Sequence, residues 1–314
     1  MKIHFRIFIQ LCIVFTMLNS YSQSTDLIKE AKDISKGGYS IFDQTMVDMP
    51  WTDIEKLINE GAIILLPVGV IEEHGPHMTS GSDIYQAYVS AKIVKAELDK
   101  KGTPCLIAPP FYWGIANIAN CFPGTFTVSE STMKSLLSDI FVSLDKWGVK
   151  NVVIFNGHGE PKHMDVLHES ILESNKALKM NIYMPANKKD IDKYEGSDFQ
   201  SCIIPVDYKP EISIDCRFDN CHADCIETGT MAGFFPDLVD TVMARKLEPT
   251  NFRERPEFRT PGDVSKAWEK DARNITPMGY FGDPASFDCK ISLINYLNNS
   301  KSEAEAIELF FKNE

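Results

Sequence analysis

The sequence predicts an α/β protein: three α/β/α layers around a mainly parallel central sheet. Three observations carry this. Helix-length amphipathic stretches alternate with four apolar runs of strand length between residues 51 and 186. Those runs are apolar throughout rather than at every second residue, the pattern of strands buried on both faces. Alternation of this kind places parallel strands side by side with helices covering them.

The elements follow in order. Residues 1–22 read as a secretory signal: MKIHFR is a basic start, IFIQLCIVFTML is apolar, and Ser20 and Ser22 are the small residues expected before a cut at Gln23. The apolar run falls short of the roughly 20 residues a membrane span needs. The expectation is therefore export, to the periplasm or the medium, with no stable membrane insertion after cleavage. Residues 23–45 are a polar lead-in containing Gly37 and Gly38, and residues 46–314 form one domain. WTDIEKLINEG is a helix opened by Thr52 and Asp53 and closed by Gly61; AIILLPVGV is the first strand. IYQAYVSAKIVKAELDKKG is a helix that Ser82 or Asp83 is placed to cap. TPCLIAPPFYWG is the second strand, SESTMKSLLSDIFVSLDKWG the next helix and KNVVIFNGHGE the third strand. PKHMDVLHESILESNKAL is helical, MNIYMPA is the fourth strand, and the segment from His222 to about Phe235 is helical. Residues 185–220 and the stretch RERPEFRTPGD read as long loops.

The formal net charge is −12, and loss of Lys2 and Arg6 with the signal makes it −14. With no basic cluster, so acidic a chain repels a phosphate backbone, and nucleic acid is excluded as a partner. Of eight cysteines, only Cys12 leaves with the signal, so an odd number remains. No C-x-x-C occurs, and Cys216, Cys221, His222 and Cys225 lack the paired spacing of a structural zinc site. Buried thiols or one disulfide are expected.

The chemistry concentrates after the first and third strands. GVIEEHGPHMTSGSDIY places Glu72, Glu73, His74, His77 and Asp83 within twelve residues, and FNGHGE supplies His158 and Glu160. In extended backbone, residues i and i+2 point the same way. Glu72 pairs with His74 in this sense, and His158 with Glu160. Both pairs lie just past the carboxyl ends of parallel strands, where open α/β sheets place ligands. Asp83 returns at the start of the following helix. Two imidazoles and three carboxylates suit Zn²⁺ or Mn²⁺, and a bridging carboxylate can join two ions. Each residue also has a bland reading: Asp83 as a helix cap, Glu72–Glu73 as a solvated charged end, His158 as part of a glycine turn.

EEHGPHMTSGSD, FNGHGE and HADCIETGTM together resemble the creatininase family of metal-dependent amidohydrolases, with FPGTFTVS and GYFGDP adding to the likeness. The resemblance runs from about residue 46 to residue 290. It implies a creatininase-like catalytic domain with two divalent ions, Zn²⁺ and/or Mn²⁺. Glu72, Asp83 and His158 would hold one ion, and His74, Asp83 and Glu160 the other. It makes His222 the catalytic histidine, with Glu227 a recurrent acidic position. His77 falls in the pocket rather than among the ligands. His163 and His168 receive no role. Gly159 and Phe218 stand where the enzyme that gave the family its name has aromatic residues, while Asp219 keeps its matching place. These positions, with His77 and Glu227, are the candidate substrate contacts.

The expected reaction is hydrolysis of a C–N amide bond, cyclic or linear, by a metal-bridged hydroxide, with His222 as general acid for the leaving nitrogen. Glu160 or a neighbouring carboxylate accepts the proton of the water. The partner is a small amide or a short peptide, and the resemblance implies a homo-oligomer, a hexamer. Peptidase or deformylase activity within the same family is the alternative, as is an exported protein that holds metal without turnover. A cysteine hydrolase using Cys221 or Cys225 is a further rival. Adjacent Cys221 and His222 side chains diverge, which disfavours it.

Overall fold

The computed structural model describes residues 39–312, apart from 195, 211, 215, 217–221 and 251–260. The stretch read as a signal and most of that read as a lead-in lie outside the described residues. Five parallel strands form the sheet: β1 (Ile63–Val68), β2 (Cys105–Ile107), β3 (Asn151–Asn156), β4 (Asn181–Asn187) and β5 (Ile203–Val206). Their spatial order is β2-β1-β3-β4-β5.

Every residue of β1 is buried, and in β3 Val152 to Phe155 are buried. This is why the strands read as unbroken apolar runs. Ile64, Leu66, Val152 and Ile154 face one helix layer: α1 (Trp51–Asn59), α3 (Glu130–Lys146) and α4 (Pro161–Ala177). Leu65, Val153 and Phe155 face the other: α2 (Ser82–Lys100) and, late in the chain, α8 (Cys289–Lys312). Burying each Leu or Ile contributes about 1.5–3 kcal/mol, so these two faces hold the sheet between its helices. Between them in sequence lie α5 (Cys225–Phe234), the short α6 (Thr241–Ala244) and α7 (Pro261–Ile275), whose helical backbone is interrupted at Asp271. Among the described residues no helix is long and apolar enough to cross a membrane.

Four expectations need correction. The second strand is shorter than its apolar run, because Pro109 and Pro110 follow, and only an isolated bridge joins Phe111 to Val68. Residues 185–220 are not all loop: β5 pairs with β4, and short 3-10 turns span Lys188–Tyr194 and Asp198–Cys202. RERPEFRTPGD runs into α7, though residues 253–260 lie outside the described residues. Ser82 and Asp83 do not cap α2; Gly81 occupies that position without a side-chain bond, and Asp83 is already helical. Cys216 and Cys225 form a disulfide, while Cys105 and Cys202 are buried thiols.

The strand order fixes the crevice. The chain leaves β1, crosses through α2 to β2 on one side, then crosses through α3 to β3 on the other. The order therefore reverses between β1 and β3, and a crevice opens beyond their carboxyl ends.

Candidate metal centre

Glu72 to Ser80 form a loop after β1 that closes on itself through the Glu72 N–H donating to the Ser80 carbonyl at 2.8 Å. Gly75, at φ 68°, turns it. The loop delivers the chain into α2, whose first turn carries Asp83. On the other side of the crevice β3 runs into Gly157. A Cβ at Gly157 would stand 2.2 Å from the backbone oxygen of Asp83, so only glycine lets the helix start lie against the strand end. That contact brings Asp83 to His158.

The side chains then meet. Asp83 Oδ1 lies 3.1 Å from His74 Nε2, and Asp83 Oδ2 lies 2.9 Å from His158 Nδ1. Glu72 Oε2 is 3.3 Å from His158 Nδ1 and 3.8 Å from His222 Nδ1. Glu227 Oε2 is 3.7 Å from His74 Nε2. All but Glu227 are buried. Three sets of ligand atoms lie within 4.8 Å of one another: Glu72, Asp83 and His158; His74, Asp83 and Glu227; Glu72, His74 and His222.

Each imidazole is oriented through its far nitrogen. His74 Nδ1 meets the Glu72 carbonyl at 3.0 Å, His158 Nε2 the Ile115 carbonyl at 3.1 Å, and His222 Nε2 the Glu73 carbonyl at 2.7 Å. A carbonyl only accepts, so those nitrogens carry the protons. When the rings are neutral, their other nitrogens turn lone pairs toward buried carboxylates. Lone pair facing lone pair needs something positive between them. Among the described residues His74 Nε2 and Asp83 Oδ2 indeed lack hydrogen-bond partners, although both are buried. A proton or a cation satisfies the arrangement, and an imidazole anchored on a carbonyl is the usual posture of a metal ligand.

The proton affinities show the same demand. Burial alone would lower His74, yet the Asp83 and Glu227 carboxylates outweigh it and raise the group to about 10. Burial likewise opposes His158, and Glu72 and Asp83 push it well above the ordinary range. His222 rises to about 8, with Glu72 overcoming burial. For Asp83, burial is outweighed by the two histidines and the carboxyl is held low.

Glu160 is in none of the three sets among the described residues. Its Oε2 accepts the Ile118 N–H at 3.1 Å, and burial raises its pKa. It lines the same cleft as Glu72, Asp83, His158, Gly159, His222 and Glu227. His77 is buried away from that lining, with Nε2 at 2.8 Å from Thr228 Oγ1, and burial lowers it to about 4. Phe218 and Asp219 lie outside the described residues.

Three features escaped sequence reasoning. His163 is fully buried, accepts the Ile115 N–H at Nδ1 (3.3 Å) and faces Asn156 Oδ1 with Nε2 (3.2 Å); Asn156 in turn donates to the His158 carbonyl. Burial lowers His163 to about 3, keeping it neutral beside His158. Its spacing from FNGHGE was the only available signal. Trp268 of α7 lines the cleft and stands edge-on to His222 at 5.2 Å between ring centres. Nothing in its local sequence marks it. The backbone carbonyl of Glu73 orients His222, and no side-chain pattern reports a carbonyl.

This fold and site define an α/β protein with a candidate metal centre at the switch point of its parallel sheet. The sequence profile of the creatininase family, described as creatinine amidohydrolase, matches residues 47–290, and the chain belongs to that family. Its relatives include 3-dehydro-scyllo-inosose hydrolase of Thermotoga maritima, at 24% identity over 74% of this chain and 68% of that one. The mycofactocin precursor peptide peptidase of Mycolicibacterium smegmatis is 25% identical over 71% of this chain and 75% of that protein. Creatinine amidohydrolase of Pseudomonas putida is 27% identical over 65% and 77%. A crystal structure of creatinine amidohydrolase shares the fold, with a TM-score of 0.58 at 20% identity, covering 85% of this chain and 98% of that one. Two further creatininase structures, described as an Mn form and a Zn–Zn type, give TM-scores of 0.57 at 19% identity; they cover 85% and 87% of this chain and 98% and 99% of theirs.

Proposed function

We propose that the chain is an exported amidohydrolase that uses two divalent ions, Zn²⁺ or Mn²⁺, to hydrolyse a small amide or a short peptide outside the cytoplasm. The carrying observation is that three imidazoles, each anchored on a carbonyl, turn their remaining nitrogens toward buried carboxylates. Glu72, Asp83 and His158 would hold one ion. His74 and Asp83 would hold the other, with a third carboxylate from the cleft, Glu227 or Glu160. When bound, such ions bring the pKa of a water toward neutrality and polarise an amide carbonyl.

The chain's own residues do the rest. A carboxylate of the cleft, Glu160 by its raised proton affinity, accepts the proton of the attacking water. His222 protonates the leaving nitrogen. Its Nε2–H is committed to the Glu73 carbonyl, so Nδ1 is the atom that transfers the proton. Burial and the ring of Trp268 keep bulk water from His222. The signal supports export, and the family resemblance supports a homo-oligomer. The substrates for which the relatives are named, creatinine among them, set the range to search.

The test is a screen of Zn²⁺- and Mn²⁺-loaded protein against creatinine, lactams, cyclic ureas, formamides and short peptides. His74→Ala is expected to lose metal and activity together. His222→Ala should keep two ions per chain and lose about 10²–10⁴-fold in kcat. Full activity in metal-free His74→Ala protein would end the proposal. Metal counting on Glu160→Gln and Glu227→Gln separates the two candidate third ligands.

A further inference from the structure

We infer that the disulfide between Cys216 and Cys225 is a positioning device for His222, holding the segment that carries it in register with Glu73 and Phe281. The inference deepens the proposed function, since it rests on His222 as the proton donor. His222 lies inside the ring that the bridge closes, which joins residues nine apart with Cα atoms 6.3 Å apart. Cys225 is fully buried in the first turn of α5, and Asp224 caps that turn by accepting the Ile226 and Glu227 N–H groups. Cys216 packs, half-buried, against the apolar cluster to which Cys225, Tyr280 and Phe287 belong.

Only Ala223 and Asp224 separate His222 from that anchored cysteine. Ala223 sits at φ 51°, a left-handed conformation that a residue with a Cβ readily leaves. Its N–H is held by Glu227 Oε2 at 2.6 Å. On the other flank, His222 exchanges backbone hydrogen bonds with Phe281, at 3.1 and 2.7 Å. These links grip the segment downstream of His222 and at His222 itself. The bridge adds the upstream grip, because it returns Cys216 to the same buried helix start. Both ends of the histidine-bearing segment are thus pinned at one point, and a proton donor displaced by about 1 Å costs on the order of 10²-fold in rate. A secreted chain keeps such a bridge oxidised.

Reduction by a water-soluble trialkylphosphine, which carries no thiol to strip Zn²⁺, is the perturbation: the bridge opens to two thiols, taking two electrons from phosphorus and two protons from a water whose oxygen ends on the phosphine oxide. Hydrogen exchange of the full-length protein, metal-free and Zn²⁺-loaded, is read by mass spectrometry. On reduction, peptides covering residues 222–227 are expected to exchange at least about tenfold faster, while those of β1 and α4 stay unchanged. Reoxidation should restore protection, which separates positioning from unfolding. The Cys216→Ala/Cys225→Ala double variant should match the reduced protein. In the Zn²⁺-loaded enzyme, kcat should fall about tenfold or more at constant metal content and KM. Unchanged exchange on reduction would overturn the inference, as would peptide mapping that pairs Cys216 with Cys221 or Cys289. If His222→Ala proves fully active, the proton-donor assignment fails, whatever exchange shows. If His222→Ala is inactive yet reduction alters neither exchange nor kcat, the bridge alone loses its role.

Discussion

Gly157 has no functional group, yet the position of Asp83 depends on it. Adding one methyl there meets the Asp83 backbone oxygen at 2.2 Å, so Gly157→Ala must push α2 away from β3. The expected outcome is a loss of about 1–3 kcal/mol in stability, together with at least tenfold weaker Zn²⁺ binding in a competition titration. Unchanged affinity would show that Asp83 does not depend on this contact. Trp268 offers a second residue-scale test. Its indole N–H is buried without a hydrogen-bond partner among the described residues, a condition that costs about 1–3 kcal/mol while it lasts. An acceptor on the substrate would relieve it. Trp268→Phe should therefore raise KM about tenfold while leaving stability and metal content intact, as steady-state kinetics and metal analysis would report. At this scale the sequence was legible where spacing encodes direction. Glu72 with His74 follows from the two-residue period of extended backbone, and the structure brings both to Asp83, with Glu72 also meeting His158. Trp268 and the Glu73 carbonyl were illegible, because one arrives from a distant helix and the other is backbone.

Among the elements, α8 packs on the sheet face opposite α3 and α4, and carries a buried polar knot. Glu303 accepts from Ser90 and Asn299, each at 2.9 Å, with no cation beside it among the described residues, and burial raises it to about 7. A carboxyl raised in the folded state favours its protonated form. Its stabilising contribution is full below the unfolded value near 4.5 and is lost as pH rises through about 7. Glu303→Gln should thus be more stable than the parent at pH 8 by about 1–2 kcal/mol, with the difference vanishing at pH 4. Chemical denaturation of both proteins at the two pH values would check this; a constant gap would contradict it. The same helix shows why elements were missed. α8 is polar enough along much of its length to carry no strong apolar stripe, and β5 is four residues with an exposed Pro205. The strands buried on both faces were the easy elements, since unbroken Ile, Leu and Val runs of strand length between helix-length segments leave little other reading.

For the molecule as a whole, metal and protons compete for the same stabilising role. Without metal, His74 and His158 answer the buried carboxylates as imidazolium ions. Their folded-state affinity is raised, so that stability is complete below the ordinary histidine value near 6.5 and fades as pH climbs toward about 10 for His74. Bound metal does not fade in this range, and saturation at 100 times Kd adds about 2.7 kcal/mol. Removing metal with a chelator should therefore lower Tm, and the gap should widen from pH 6.5 to pH 9 in calorimetry. A gap that narrows with rising pH would mean that the histidines do not bind metal.

The α5 region rests on an apolar cluster of its own, built from Ala223, Cys225, Met231, Tyr280 and Phe287, apart from the two clusters that clasp the sheet. That cluster also takes in Met78 of the loop after β1 and, half-buried, Tyr85 and Val89 of α2, so the segment bearing His222 and the segments bearing His74 and Asp83 share one apolar footing. A substitution at Tyr280 or Phe287 would therefore be felt on both sides of the crevice at once.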